Sequence, residues 1–208
     1  MTKVVIVDYG RGNIRSVANA IDYIGVDVEV SNEESVIDNA SHIILPGVGS
    51  FGDAVSALED RELIDILNEQ VLVKGKPFLG ICVGMQVLAR TSLEHGAHSG
   101  FGWVDTKVSS LRVDNLNQKI PHMGWNTVEV KRPHPVFTNL IKDDLVFYFV
   151  HSFAITSLGF PEVLGISNYG IDFVSIIAWD NIIATQFHPE KSQDSGVDFL
   201  SGFVNWSP

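Results

Sequence analysis

The sequence predicts an α/β fold: a mostly parallel sheet with helices on both faces and a mixed or antiparallel C-terminal extension. Three observations lead to this prediction. Apolar, β-branched runs alternate with helical apolar spacing through about the first 90 residues, which is typical of β-α-β units. From about residue 100, strand-like runs follow one another with short connections. The chain of 208 residues is 45% hydrophobic, enough for a sizeable core, and we expect residues 1–208 to form one domain.

The elements of the first half follow from their apolar spacing. Residues 3–8 are apolar on both faces, as in a fully buried strand. Asn13 suits the N-cap position of the first helix, and Gly25 ends that helix. We expect further strands at 26–30, 43–45 and 77–81, and helices at 14–24, 35–40, 53–60 and 61–70.

The second half is expected to be rich in strands and to close with a helix. The strand-like runs lie at 102–109, 126–130, 146–150, 171–179 and 182–186. Residues 194–204 have the spacing of a closing helix.

Composition and charge narrow the possible functions. The formal net charge of −11 argues against binding to nucleic acid or to an anionic membrane, because both are polyanions. The single cysteine excludes an internal disulfide framework. No apolar run approaches the roughly 20 residues of a membrane-spanning helix, so we expect a soluble, cytoplasmic protein. Cysteine and histidine show no metal-ligand spacing, and we expect no metal.

A G-x-C-x-G motif, residues 80–84, lies between a predicted buried strand and a helix that opens near Val83. This is the setting of a nucleophile elbow, with Cys82 in place of the usual serine. The glycines allow a tight turn that presents the thiol at the carboxyl end of the sheet. The helix N-terminus favours the thiolate, which is the attacking species. A lone cysteine is more often a buried core residue, so the motif alone leaves both interpretations open.

The motif Gln186-Phe187-His188-Pro189-Glu190 offers a base for that thiol. Pro189 favours an extended conformation at His188, and residues two apart in an extended chain point the same way. Glu190 can therefore orient the His188 ring and stabilise its protonated form, while the other ring nitrogen reaches the thiol. A strand end with an unrelated histidine and glutamate is the alternative. Together, the two motifs support a Cys–His–Glu triad.

A glycine-containing loop, residues 46–49, follows the neighbouring predicted strand. Its two glycines allow it to present backbone N–H groups to a developing oxyanion, and to reorient in doing so. An ordinary strand-to-helix turn has the same composition, so the loop supports a catalytic site without deciding the question.

These motifs resemble the two signatures of class I glutamine amidotransferases, Gly80-Ile-Cys-Val-Gly-Met-Gln86 and Gln186-Phe-His-Pro-Glu-Lys-Ser192. Four further segments are similar to the glutaminase subunits of imidazole glycerol phosphate synthases: residues 9–13, 46–49, 121–126 and 148–152. The resemblance runs from Val4 to about Ser195. It implies a three-layer, flavodoxin-like amidotransferase fold and the hydrolysis of L-glutamine to L-glutamate and ammonia without a cofactor.

The resemblance also implies a role for individual residues. Cys82 is the nucleophile, His188 the general base and acid, and Glu190 its orienter. The oxyanion hole is formed by the N–H of Val83 and by one from Val48 or Gly49 after the loop reorients. Glutamine is held by Gly47, Gly49, Gln86, His151 and Ser152. The partner is contacted by Trp125, Tyr148 and Lys191.

The implied partner is a (βα)₈-barrel cyclase subunit, in a heterodimer that uses the ammonia to make imidazole glycerol phosphate in histidine biosynthesis. Two alternatives stay open. The ammonia could serve a paralogous synthase that amidates a surface-polysaccharide sugar, because Trp103 and Phe153 replace the smaller aliphatic residue and the tyrosine usual in histidine-pathway subunits. The chain could instead be a non-catalytic scaffold, although a scaffold does not need Cys82, His188 and Glu190.

Overall fold

A computed structural model describes residues 2–111, 119–138, 140 and 145–208. The first half contains four strands: β1 (Lys3–Val7), β2 (Asp27–Ser31), β3 (His42–Gly47) and β4 (Phe78–Cys82). Its helices are α1 (Ile14–Tyr23), α2 (Glu34–Asp38), α3 (Phe51–Glu59), α4 (Leu63–Leu67) and the single turn α5 (Val83–Gln86). A π-helical segment, Asn68–Val73, extends α4. Each predicted strand of this half is therefore present, with its ends shifted by a residue or two.

The described part of the second half contains ten strands and one long helix. The strands are β5 (Ala89–Ser92), β6 (His98–Ser99), β7 (Val104–Ser110), β8 (His122–Thr127), β9 (Glu129–Val130), β10 (Val146–His151), β11 (Phe153–Ile155), β12 (Val163–Tyr169), β13 (Ile171–Trp179) and β14 (Ile182–Thr185). The helix is α6 (Gln193–Val204), and two 3₁₀ turns cover Pro135–Phe137 and Pro189–Lys191.

The main sheet has eight strands in the order β2-β1-β3-β4-β14-β13-β12-β9. The pairs from β2 to β14 are parallel, and the pairs from β14 to β9 are antiparallel. This confirms the predicted α/β fold, a mostly parallel sheet with antiparallel C-terminal strands. Since β-α-β crossovers are right-handed, α1 lies on one face of the sheet and α2, α3 and α4 lie on the other. The closing helix α6 contacts α1.

Two smaller sheets depart from the sequence prediction. One pairs β10 with β8, and the other has the order β11-β7-β5-β6. The single strand predicted at 126–130 is wrong, because β8 pairs with β10 whereas β9 joins the main sheet beside β12. The strands β5, β6, β11 and β12 were not predicted. Three of them are at most four residues long, too short for a periodic signal.

The predicted helix after Cys82 is a single turn. Beyond Gln86 the backbone pairs with a later segment instead of continuing the helix: the N–H of Phe101 donates to the carbonyl of Val87 at 2.7 Å, and that of Gly102 donates to Ala89 at 3.3 Å. Of the helices in the described ranges, none is long and apolar enough to cross a membrane.

Close packing at Gly84 positions the end of β4. A Cβ atom added there would overlap the backbone carbonyl oxygen of Leu45 in β3. The short helix α5 can therefore lie directly on the neighbouring strand. In the β3–β4 register, Cys82 stands opposite Gly47, so the thiol and the glycine-containing loop meet at the carboxyl edge of the sheet.

We expect Gly84→Ala to lower the free energy of unfolding by about 3 kcal/mol, because the new methyl group must displace backbone rather than a flexible side chain. Denaturant unfolding followed by circular dichroism measures this loss. Gly159→Ala is the matched control, since no atom lies within 4 Å of a Cβ added there, and its effect should stay within about 0.5 kcal/mol. Equal stabilities of the two variants would contradict the proposed contact.

Candidate active site

Cys82 occupies a strained strand-to-helix turn. Its backbone angles are φ 56° and ψ −108°, a region that is unfavourable for any residue with a side chain and that recurs at functional sites. The residue is 4% exposed, yet it lines a cavity at the carboxyl edge of the sheet. The structure thus gives Cys82 the geometry of a nucleophile elbow rather than that of a core thiol.

His188 follows β14, the parallel neighbour of β4. Its backbone is extended, with φ −100° and ψ 96°, as Pro189 predicts. Its Nδ1 lies 2.8 Å from Oε1 of Glu190, and both side chains are 1% exposed. Among the described residues, the buried Nε2 of His188 has no hydrogen-bond partner, although it lies beside the cavity that Cys82 also lines. One ring nitrogen is therefore held by the carboxylate and the other is free for proton transfer.

The charges around His188 favour its protonated form. Burial by itself lowers the pKa of this imidazole, but its interactions with Cys82 and with the Glu190 carboxylate outweigh burial and raise the pKa to about 10. A thiolate beside an imidazolium is the resting arrangement of an activated cysteine nucleophile.

Asn13 supports the carboxylate. Asn13 occupies the predicted N-cap position of α1, and its carbonyl accepts from the N–H of Val17 at 3.1 Å, but its side chain makes no capping hydrogen bond within the described residues. Its Nδ2 instead donates to Oε1 of Glu190 at 3.2 Å, the oxygen that also contacts His188. Sequence reasoning missed this role, since spacing along the chain gives no information about a partner 177 positions away.

The cavity beside Cys82 has a volume of about 300 Å³. Its lining includes most of the predicted oxyanion and glutamine-binding residues, namely Val48, Gly49, Val83, Gln86, His151 and Ser152. Gly47 is the exception. A Cβ atom there would lie 2.6 Å from the Gly84 nitrogen and 2.9 Å from the Tyr9 hydroxyl, so Gly47 packs against α5 and Tyr9, and it is not among the described residues that line this cavity.

Gln86 presents its oxygen rather than its nitrogen to a ligand. The side-chain nitrogen donates to the carbonyl of Phe153 at 2.9 Å and to Oε1 of Gln186 at 3.0 Å. Because these two bonds use both N–H groups, the oxygen remains to accept from a donor such as an α-ammonium group.

Glu94 is a cavity residue that sequence reasoning missed. It lines the cavity, and its Oε2 accepts from the N–H of Phe51 at 2.6 Å. This bond fixes the carboxylate near the cavity mouth, where its negative charge complements an ammonium group. The residue lies in the connection after β5 and no motif includes it, so the sequence carries no signal for this placement.

His151 belongs to a buried pair of neutral histidines. Its Nδ1 donates to the Phe153 carbonyl, which makes its Nε2 the acceptor from Nδ1 of His122, at 2.9 Å in both cases. Burial lowers the pKa of His122 to about 4 and that of His151 to about 3. The His151 ring therefore acts as a fixed, uncharged wall of the cavity.

The three predicted partner contacts lie on one accessible side of the molecule. Trp125 and Tyr148 are cross-strand neighbours in β8 and β10, with ring centroids 6.0 Å apart. Trp125 is 48% exposed and Met123, two residues before it, is 62% exposed. Lys191 is exposed at the end of the 3₁₀ turn that carries Glu190. The backbone N–H of Tyr148 donates to Oγ of Ser192 at 2.9 Å, which ties this surface to the turn.

Comparison with known proteins establishes the family of the chain. The model of the family described as glutamine amidotransferase class-I matches residues 5–204. The chain therefore belongs to the class I glutamine amidotransferase family. The solved structure of PurLQS from Thermotoga maritima has a TM-score of 0.74 at 18% sequence identity, with 98% of both chains covered. At this identity the likeness concerns the fold.

Full-length relatives narrow the assignment. The imidazole glycerol phosphate synthase subunit HisH 2 of Nitrobacter winogradskyi is 48% identical, with 100% of both chains covered. The protein of the same name from Vibrio vulnificus is 44% identical over 98% of this chain and 94% of its own. Within the amidotransferases, the chain thus falls among the HisH subunits. The predicted family, enzyme class and function as a glutaminase subunit of this kind are confirmed.

We expect NMR of the ring nitrogens to show opposite states for the histidines near neutral pH: His188 as imidazolium, His122 and His151 as neutral rings. The pKa of His188 is raised, so the stability gained from its charge is fully present below about 6.5, the pKa of an unperturbed histidine. That stability is lost as the pH rises through about 10. A neutral His188 at pH 7 would contradict the proposed ion pair.

Glu190→Gln should lower the pKa of His188, because it removes one of the two negative charges that raise it. The exposed Glu59→Gln change removes the same charge elsewhere and serves as the control. An unchanged His188 titration in Glu190→Gln would show that the carboxylate has no such effect.

Proposed function

We propose that this chain hydrolyses L-glutamine to L-glutamate and ammonia, with Cys82 as the nucleophile, His188 as acid and base, and Glu190 as the orienting carboxylate. The observation that carries the proposal is the buried His188–Glu190 pair at 2.8 Å, whose free Nε2 lies beside the cavity that Cys82 lines. A histidine held in this way can both accept and return a proton at the sulfur.

In the proposed reaction, the Cys82 thiolate attacks the side-chain carbonyl of glutamine and forms a tetrahedral adduct. His188, already protonated, gives its proton to the departing nitrogen, so that ammonia leaves and a thioester remains. Water then attacks the thioester while His188 takes its proton, and the C–S bond breaks, which releases glutamate and restores the thiolate–imidazolium pair. Glu190 stabilises the imidazolium at each stage when His188 carries the proton.

The oxyanion of the adduct needs N–H donors in fixed positions. The N–H of Val83 begins α5 and has no partner within the helix, so it supports the proposal as one donor. The second donor comes from Val48 or Gly49. Gly49 has φ +93°, and no atom lies within 4 Å of a Cβ added there, which leaves space for a peptide rotation. We propose that this rotation switches the glutaminase on.

The cavity walls match the charges of free glutamine. Glu94 and the oxygen of Gln86 can accept hydrogen bonds from the α-ammonium group, since both line the cavity. The backbone around Ser152 and Gly49 is available for the α-carboxylate. The neutral ring of His151 adds no competing charge. We therefore add Glu94 to the predicted glutamine-binding residues. We remove Gly47 from them, because it packs against α5 and Tyr9.

We infer that the partner is a (βα)₈-barrel cyclase, in a heterodimer that makes imidazole glycerol phosphate for histidine biosynthesis. Membership of the HisH subunits supports this inference, and the exposed Met123 and Trp125 give the surface an apolar anchor of the kind found at protein interfaces. The catalytic thiol must stay reduced, which agrees with a cytoplasmic location.

The structure gives little support to the two alternatives, a sugar-amidating partner and a non-catalytic scaffold. Trp103, one of the residues that favoured a sugar-amidating partner, donates its indole N–H to Asn68 at 2.7 Å and packs against Phe78, so packing accounts for it. The other, Phe153, lines the glutamine cavity and so concerns glutamine rather than the acceptor of ammonia. A scaffold has no use for a strained Cys82 beside a buried ion pair, because both destabilise the fold.

Cys82→Ala and Cys82→Ser should each lose glutaminase activity by about four orders of magnitude or more, since the parts of a triad act as a unit. Glutamate release is measured with the activating partner present, and circular dichroism verifies that the variants are folded. Glutamate release at the wild-type rate from Cys82→Ala would refute the assignment.

Activation should identify the partner. We expect the ligand-loaded cyclase from the same organism to raise glutamate release, and a sugar-amidating synthase to leave it unchanged. Trp125→Ala should weaken that activation about tenfold or more, as loss of a buried interface tryptophan does. Tyr23→Ala, which removes a 79% exposed ring from α1, is the control. Stimulation by the sugar-amidating synthase alone would reverse the choice of pathway.

A further inference from the structure

A line of buried amides ends at the catalytic sulfur. The side-chain nitrogen of Gln186 lies 3.6 Å from Sγ of Cys82. The oxygen of the same amide accepts from Gln86 at 3.0 Å, and Gln86 also donates to the carbonyl of Phe153 at 2.9 Å. Gln186 is 0% exposed and Gln86 is 3% exposed. The sulfur therefore has a polar neighbour on its core side as well as His188.

The Phe153 carbonyl, at the end of this hydrogen-bond chain farthest from Cys82, determines which atoms of the two amides donate and which accept. A peptide carbonyl only accepts hydrogen bonds, so the oxygen of Phe153 requires the nitrogen of Gln86 to face it. The ring of His151 donates to the same oxygen at 2.9 Å. The second N–H of Gln86 then needs an acceptor, which is the oxygen of Gln186. The nitrogen of Gln186 is thereby left facing Cys82 as a donor.

This donor favours a charged sulfur. A buried amide N–H is unfavourable without a partner, and a hydrogen bond to an ionised group is about twice as strong as one between neutral groups. Deprotonation of Cys82 therefore strengthens its bond with Gln186. Gln186 does not line the glutamine cavity, so it can hold the sulfur without occupying the space that a substrate needs.

We propose that Gln186 is a further catalytic residue, which donates a hydrogen bond to the Cys82 thiolate and holds it in position for attack before glutamine binds. The inference rests on the proposed role of Cys82 as nucleophile. It assigns a function to the first residue of the Gln186–Glu190 motif, which the triad leaves unused. Gln86 and the Phe153 carbonyl keep the amide of Gln186 turned the right way.

The test compares Gln186→Met with the wild-type chain. Methionine fills a similar volume and has no N–H, so we expect Cys82 to be alkylated by iodoacetamide about tenfold more slowly at pH 7, with a weaker thiolate absorbance. Both signals are unambiguous, since the chain has a single cysteine. With the activating partner, kcat should fall by a similar factor and KM should change little, because Gln186 does not line the cavity.

Gln70→Met is the matched control. Gln70 is 2% exposed, and its side-chain nitrogen donates to Asp38 at 3.0 Å, so this change also removes a buried amide. Its alkylation rate and kcat should equal those of the wild type. Alkylation of Gln186→Met at the wild-type rate would overturn the inference. A wild-type Cys82 that reacts no faster than a free thiol would instead refute its proposed role as nucleophile.

A second measurement needs no substitution at position 186. The side-chain amide protons of Gln186 are followed by NMR in the folded wild-type chain and in Cys82→Ala. We expect the resonance of the proton facing the sulfur to move when the sulfur is removed, and that of Gln70 to stay in place. An unmoved Gln186 resonance would contradict the hydrogen bond even if Gln186→Met fails to fold.

Discussion

The buried charge on His188 is the constraint on which the rest of the site depends. An imidazolium with 1% of its side chain exposed is stable only if negative charge faces it, because water is not there to solvate it. Glu190 supplies that charge at Nδ1, and Cys82 is the other group that raises the pKa of His188. Removal of either partner should therefore destabilise the fold more than the loss of a surface ion pair does, because the remaining charge would be buried and unpaired. Asn13 adds a hydrogen-bond donor to the carboxylate.

The parallel sheet brings these groups together. Because β4 and β14 are adjacent and parallel, their carboxyl ends lie at the same edge, and so do the residues that follow them. Strand order alone does not set the backbone conformation of Cys82; local packing does. The absence of a side chain at Gly84 lets α5 approach Leu45, and this close contact holds Cys82 in a conformation that a free chain would rarely adopt. The packing of Gly84 against the Leu45 backbone thus compensates for the strained backbone of Cys82.

The sequence was informative wherever the signal was local. The apolar runs of β1, β3, β4 and β13 are sufficient to predict these strands. The two-residue spacing of His188 and Glu190 predicts a contact between their side chains, and the extended backbone at His188 produces it. Short strands such as β6 and β11 have too few residues for a periodic signal. The partner of β11 is also β7, which lies far earlier in the chain, so the sequence could not reveal this pairing. The same reason hid Asn13 and Glu94, whose roles come from packing between segments far apart in the chain.

His151 and His188 line the same cavity, but the first ring is neutral and the second is protonated. Their hydrogen-bond partners explain the difference. His151 donates to a peptide carbonyl and accepts from another neutral ring, and the bond to that carbonyl only partly offsets the desolvation of a second proton on the ring. His188 has a carboxylate and a thiolate instead. Positive charge is thereby confined to the ring beside the sulfur, which is where the proposed reaction needs a proton for the departing amide nitrogen. The cavity wall formed by His151 stays neutral, so it adds no positive charge that would compete with the ammonium group that we propose Glu94 binds.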